Sequence, residues 1–79
     1  MRVLVFARLR EIVGSAETSA RLQAGARIED LWASLEQRYP ALAAERSCSR
    51  AARNGSIAPF STALDDGDEV ALLPPVGGG

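Results

Sequence analysis

The residues with the clearest chemical potential stand at the end of the sequence, in "LLPPVGGG" at 72–79. Proline fixes φ and lacks an amide donor, so Pro74 and Pro75 should end a strand and hold the following residues extended. Glycines carry no side chains, so such an arm can enter a channel too narrow for other residues. Residues 76–79 would reach roughly 13 Å at ~3.3 Å per residue. The pattern indicates an arm that presents its carboxylate to another protein, and a frayed terminus without function is the alternative.

The reactive group of such an arm would be the α-carboxylate of Gly79. A free carboxylate is a poor electrophile, whereas its acyl-adenylate is a good one. A sulfur nucleophile can convert that adenylate into a thiocarboxylate. The chemistry would then lie in the last carbonyl group, with no catalytic side chain required on this chain.

Composition excludes several other classes of site. The nine basic residues are all Arg and His is absent, so the chain offers no Schiff-base lysine, no Ser-His pair and no imidazole metal ligand. Cys48 is the single thiol; Arg46 and Arg50 nearby would favour its thiolate, but no base accompanies it. A formal net charge of −1 argues against nucleic-acid and anionic-membrane partners. The N-terminal apolar run of about five residues is too short for a signal peptide or a membrane span, so we expect a cytoplasmic protein.

Three further groups of residues have a structural and a functional interpretation. The cluster "DDGDE" at 65–69 indicates a turn rather than a cation site, because an EF-hand loop needs more residues and a terminal bidentate Glu. Trp32 and Tyr39 fit core or edge packing better than a ligand-stacking surface. Arg8 and Arg10 fit solvated surface charge, with salt bridges to a partner as the alternative.

The elements that must position the arm follow from periodicity. Residues 2–7 read as a buried strand and "TSARLQ" at 18–23 as a weaker second one. An amphipathic stripe predicts a helix from Ile28 that stops at Pro40, poorly capped by Arg27, with a short helical turn to follow in "ALAAER" at 41–46. Asn54-Gly55 predicts a hairpin, and Asp66-Gly67 a turn before a last strand at 69–73. The order predicts a single α+β domain at 1–79, a β-grasp with a mixed sheet of four to five strands, one main helix on one face, and 74–79 as an extended tail.

The chain resembles the family of small, sulfur-carrier subunits of molybdopterin synthase, which are ubiquitin-like β-grasp proteins. The resemblance lies in four stretches in the right order: "VLVFARLREIVG" at 3–14, "IEDLWASL" at 28–35, "AARNGSI" at 51–57 and "LDDGDEVALLPPVGGG" at 64–79. The first and last are the specific ones. They span nearly the whole length.

The resemblance implies a reaction cycle with two protein partners. A ubiquitin-activating-like adenylyltransferase would use ATP to adenylate Gly79, and sulfur from a persulfide donor would then give the thiocarboxylate. The tail that carries the thiocarboxylate would insert into the large subunit of molybdopterin synthase and deliver sulfur to cyclic pyranopterin monophosphate. No permanently bound cofactor is expected, and catalytic side chains, including a lysine, would belong to the large subunit. The implied assembly is a heterotetramer, with two small chains at opposite ends of a large-subunit dimer.

The resemblance also carries over site residues. Gly78 and Gly79 match the family's terminal pair, and Gly77 takes the variable position before it. Pro74, Pro75 and Val76 match the rigid lead-in; Ile57 and Leu73 match the apolar docking face. Three departures stand out: Leu73 where the family commonly has Phe, Arg53 in place of an apolar residue, and Arg27 in place of a capping Thr. The first concerns docking affinity and the other two concern stability.

Two alternatives remain at this stage. The same tail would suit a sulfur carrier for thiamine-thiazole synthesis, cysteine synthesis or tRNA thiolation, although the chain is longer than the thiazole carrier. A non-catalytic β-grasp interaction module with a passive tail is the alternative from another class.

Overall fold

The computed structural model describes residues 1–74, which form a five-stranded mixed sheet with helices on one face. The strands are β1 (Arg2–Val5), β2 (Glu17–Ser19), β3 (Arg50–Arg53), β4 (Ser56–Ala58) and β5 (Glu69–Leu73). The helices are α1 (Ala7–Val13), α2 (Ile28–Arg38) and a 3-10 helix at Pro40–Cys48. The sheet order is β2-β1-β5-β3-β4; β1 and β5 are parallel, and the other neighbours are antiparallel. This is the predicted β-grasp architecture, and β5, which leads into the tail, lies at its centre.

The core lies between the sheet and α2. The predicted helical stripe is buried, with relative exposures of 0–2% at Ile28, Leu31, Trp32 and Leu35. Alternate residues of β1 and β5 pack against it, because side chains of a strand point in turn to opposite faces. These are Val3, Val5, Val70 and Leu72, all fully buried or nearly so. Leu9 of α1 and Leu42 of the 3-10 helix belong to the same cluster, so one face of the central strands is covered mainly by aliphatic side chains.

Helix α2 begins and ends as the sequence predicted. Arg27 provides no side-chain cap, which confirms the weak start. The Asp30 carboxylate partly compensates, because it accepts the backbone N–H of Arg27 at 2.8 Å, as the acidic member of a capping box does. The helix ends at Arg38, and Pro40 opens the 3-10 helix. That helix extends over nine residues, further than the predicted turn at 41–46.

Two predictions near the N-terminus need correction. The strand predicted at 2–7 ends at Val5, and residues 7–13 turn into α1, which the sequence analysis did not anticipate. Leu9, Ile12 and Val13 have helical spacing and pack in or against the core, and Gly14 ends the helix at φ 84°. The second strand occupies 17–19 rather than 18–23, because its antiparallel register with β1 ends at the pair Arg2–Ser19, followed by hydrogen bonds between Ala20 and Met1.

The two glycine turns are confirmed. Asn54 (φ 49°) and Gly55 (φ 88°) both adopt the left-handed conformation and join β3 to β4 as a tight hairpin. Gly67 (φ 84°) turns the chain into β5, whose bounds match the predicted 69–73. Of the helices in residues 1–74, none has the length and apolarity needed to cross a bilayer.

Candidate functional site

The start of β5 is fixed by a polar cluster around Asp68. Its side chain is only 8% exposed, and it accepts hydrogen bonds from Arg53 Nε at 2.7 Å, Asn54 Nδ2 at 3.0 Å and the backbone N–H of Asp65 at 2.8 Å. The bond from Arg53, joined by those from Asp65 and Asn54, lowers the pKa of Asp68 from 3.8 to about 2. Glu69 N–H also donates to Asn54 Oδ1 at 2.9 Å. The hairpin turn and the turn before β5 are thus locked together.

The cluster around Asp68 gives a structural role to Arg53 and to the "DDGDE" stretch at 65–69. Arg53, which stands where the resembled family has an apolar residue, bridges two turn carboxylates, since its Nη2 also lies 3.0 Å from Asp65 Oδ2. The interaction with Asp68 raises the pKa of Arg53. The "DDGDE" stretch is a turn, as predicted, and two of its carboxylates are held by a guanidinium.

The far end of β5 is where the described residues reach the start of the predicted arm. Leu73 is the last strand residue and Pro74 follows, both half-buried. On one side, Arg50 of β3 is the register partner of Leu73. On the other side, β1 runs parallel to β5 with Val5 beside Leu72, so Phe6 lies next to Leu73. The predicted tail residues Pro75, Val76, Gly77, Gly78 and Gly79 lie outside the described residues.

The sheet face opposite α2 is called here the outer face. One row across it joins four strands through the register pairs Leu4–Ala71, Ala71–Ala52 and Ala52–Ile57. Ile57 is 61% exposed. Leu73 shares this face because it is two residues from Ala71. The structure therefore brings the two predicted docking residues, Ile57 and Leu73, onto one surface with Pro74 at its margin.

The outer face is divided along the strands. Toward the start of β5 it is ionic, because Arg2 pairs with Glu17 and Glu69, each at 3.0 Å. These three side chains are 41–57% exposed, so they contribute little to stability. Toward the end of β5 the face is apolar. We call this part the apolar half; it consists of Leu4, Phe6, Ala52, Ile57, Ala71 and Leu73, with Arg50 among them.

Besides Ile57, this surface has two exposed members that the sequence did not indicate, Phe6 and Arg50. Phe6 is 43% exposed, whereas the other phenylalanine, Phe60, is half-buried against Trp32. The sequence predicts a buried strand there, but the strand ends one residue earlier and Phe6 precedes α1. Arg50 was considered only as a charge near Cys48. Their positions could have indicated this, because Phe6 follows the last residue of β1 and Arg50 is the first residue of β3, and these strand ends flank Leu73.

The other candidate residues lie away from this surface or have structural partners. Trp32 is buried, meets Phe60 edge-on at 5.9 Å between ring centroids and donates to Glu36 at 3.2 Å. Tyr39 is half-buried with Arg38 over its ring, so both aromatics pack as predicted. Arg8 forms an exposed ion pair with Glu11 at 3.4 Å. Cys48 is an exposed free thiol at the end of the 3-10 helix.

The chain matches one protein family and several characterised proteins over nearly its whole length. The ThiS family matches residues 3–79. A molybdopterin synthase sulfur carrier subunit from Chlamydomonas reinhardtii is 41% identical over 81 residues, covering 100% of this chain and 98% of that protein. Small archaeal modifier protein 1 of Haloferax volcanii has a TM-score of 0.82 at 30% identity, with 95% of each chain covered.

A third similar structure contains a partner. It is a protein-protein complex of subunits 1 and 2 of the molybdopterin-converting factor from Helicobacter pylori. The matched chain has a TM-score of 0.67 at 25% identity, with 99% of this chain and 96% of that chain covered. A relative of this fold is therefore known in a complex with a second subunit.

Proposed function

Because the chain belongs to the ThiS family, we propose that it is the sulfur-carrier subunit of molybdopterin synthase. The observation that carries the proposal is the continuity between the apolar half of the outer face and the end of β5. A docked partner would cover Ile57, Phe6 and Leu73 and would receive the arm that begins at Pro74. The name shared by full-length relatives supports the same assignment.

In the proposed cycle, the chain supplies an acyl group and the partners supply the catalysis. An adenylyltransferase joins the Gly79 carboxylate to AMP from ATP and releases pyrophosphate. Attack by a persulfide donor expels AMP and forms an acyl disulfide, and thiol reduction of its S–S bond leaves the thiocarboxylate. The large subunit then accepts the tail, and the thiocarboxylate delivers sulfur to cyclic pyranopterin monophosphate. Two deliveries build the dithiolene of molybdopterin.

The described residues contribute position and affinity to this cycle. The Asp68 cluster fixes one end of β5, and the pairing of β5 with β1 and β3 fixes its direction. Leu73 and Pro74 then determine where the arm starts relative to the docking surface. An anchored base reduces the conformational entropy that the arm loses when it enters a channel. The proposed assembly is the heterotetramer, with one carrier at each end of a large-subunit dimer.

The first test is direct observation of charging. The chain is incubated with the activating enzyme, ATP and a persulfide donor, and its intact mass is measured. The expected result is the mass increase of one oxygen replaced by sulfur, located at Gly79 by peptide mapping. A variant extended by one residue beyond Gly79 is the matched control; it should keep the fold and fail to support molybdopterin formation. A wild-type chain that stays uncharged where a known carrier is charged would contradict the proposal.

The second test separates the proposed pathway from others. Charged carrier is mixed with the large subunit and cyclic pyranopterin monophosphate, and molybdopterin is assayed. A charged chain that transfers no sulfur here, but serves thiazole, cysteine or tRNA thiolation, would assign it to another pathway. A chain that binds partners without ever becoming charged would be an interaction module.

A further inference from the structure

Arg50 is a cation within a surface that is otherwise apolar. It is the register partner of Leu73 on β3 and lies two residues from Ala52, which pairs with Ile57. Directly opposed side chains on one sheet face have Cβ atoms about 4.5–5.5 Å apart, and diagonal neighbours are about 7–8 Å apart. Arg50, the first residue of β3, therefore lies beside Leu73 and diagonal to Ile57, between the two predicted docking residues.

Within residues 1–74, the Arg50 guanidinium has no ion-pair or hydrogen-bond partner. The five ion pairs in this part of the chain belong to Arg2, Arg8 and Arg53. Arg50 is exposed, so in the isolated domain water hydrates its charge. A partner that covers Leu73 and Ile57 would remove that water. An arginine side chain has five N–H donors and no acceptor, so Arg50 would then need an acceptor from the partner.

We propose, on the basis of the proposed docking of this face, that Arg50 is a specificity-determining residue that requires a carboxylate on the large subunit. A buried guanidinium without an acceptor is strongly unfavourable, whereas a carboxylate can receive two parallel N–H bonds from its fork. Leu73 and Ile57 supply apolar contact that many partners could satisfy. The charge between them discriminates, because a partner with an apolar or basic residue at that point would leave Arg50 unpaired.

Titration of the large subunit with a set of Arg50 variants tests this. Dissociation constants are measured by calorimetry for wild type, Arg50→Leu and Arg50→Glu, with Arg21→Leu and Arg21→Glu as matched controls. Arg21 is an exposed arginine that follows β2 near Met1, at the opposite end of the sheet. We expect Arg50→Leu to weaken binding at least about 30-fold, since it leaves the partner's carboxylate buried and unpaired. Arg50→Glu should weaken binding more, and both Arg21 variants should stay within about twofold of wild type.

Arg50→Leu is the decisive variant because an Arg50 paired with a carboxylate and an Arg50 that only reaches water predict opposite changes in affinity for the large subunit. If the guanidinium only reaches past the interface to water, the leucine adds apolar contact and binds as tightly as wild type or more tightly. That result would overturn the inference while leaving the proposed function intact. Failure of the wild-type chain to bind the large subunit would instead overturn both. Recovery of Arg50→Glu affinity by one Asp→Arg or Glu→Arg change on the large subunit would identify the carboxylate.

Discussion

Ile57→Ala should weaken binding to the large subunit and have a smaller effect on the stability of the fold. The wild-type side chain is 61% exposed on the outer face. Full burial of an isoleucine side chain contributes about 1.5–3 kcal/mol, so the exposed fraction can contribute about 1–2 kcal/mol to docking. This corresponds to an increase of about 5- to 30-fold in the dissociation constant for the large subunit. The smaller fraction already covered in the free domain limits the loss of folding stability to about 0.6–1.2 kcal/mol.

Leu72→Ala is the matched control for this prediction. Leu72 is 0% exposed and lies on the inner face of β5, next in sequence to Leu73. Its truncation should reduce the free energy of unfolding by about 2–5 kcal/mol, because it leaves a cavity in the core. Urea unfolding followed by fluorescence of Trp32, which is 2% exposed, measures the stability of both variants. If Ile57→Ala destabilised the domain as much as Leu72→Ala and left the dissociation constant unchanged, the assignment of the outer face would be wrong.

Three further predictions concern the turns and the second exposed apolar residue, Phe6. Wild-type stability should fall as pH decreases from 3.8 toward about 2, because Asp68 has a lowered pKa in the folded state and its stabilising contribution is lost as it becomes protonated. Asp68→Asn should flatten that part of the urea stability profile, and an unchanged slope would exclude Asp68 as its source. Gly67→Ala should cost about 1–2 kcal/mol in urea unfolding; φ is 84° and nothing lies within 4 Å of an added Cβ, so the cost would be conformational, and Gly67→Asn should lose less. Phe6→Ala should weaken docking by about 1 kcal/mol, since 43% of the residue is exposed; a lower thermal midpoint with unchanged affinity would instead assign Phe6 to the core.

The features that the sequence predicted well have strong local signals. The stripe of α2 repeats over three turns, and Asn54-Gly55 combines two residues that tolerate positive φ. The short helix α1 was not predicted, because an uninterrupted apolar run precedes it and its seven residues make fewer than two full helical turns. A run of that kind is compatible with either strand or helix.

The candidate surface was harder to predict because it depends on the sheet order. Leu73 and Ile57 came from resemblance, whereas their common face with Phe6 and Arg50 follows from the register of four strands. Periodicity assigns alternating faces within one strand but does not say which strands are neighbours. The link from Arg53 to Asp68 likewise joins residues 15 positions apart, which no local pattern indicates. The roles predicted for 75–79 stay predictions.

The parallel pairing of β1 and β5 links the beginning of the chain to its end, with Arg2 beside Glu69. A nascent chain that lacks residues 69–73 lacks the middle strand, so β1–β2 and β3–β4 would remain two separate strand pairs. Contacts of such long range are costly to close and slow folding. The surface that a partner would recognise should therefore form only when synthesis has almost reached the terminal glycines. If the proposed function is right, prematurely terminated chains would lack both Gly79 and the docking surface, so the partners would not bind them.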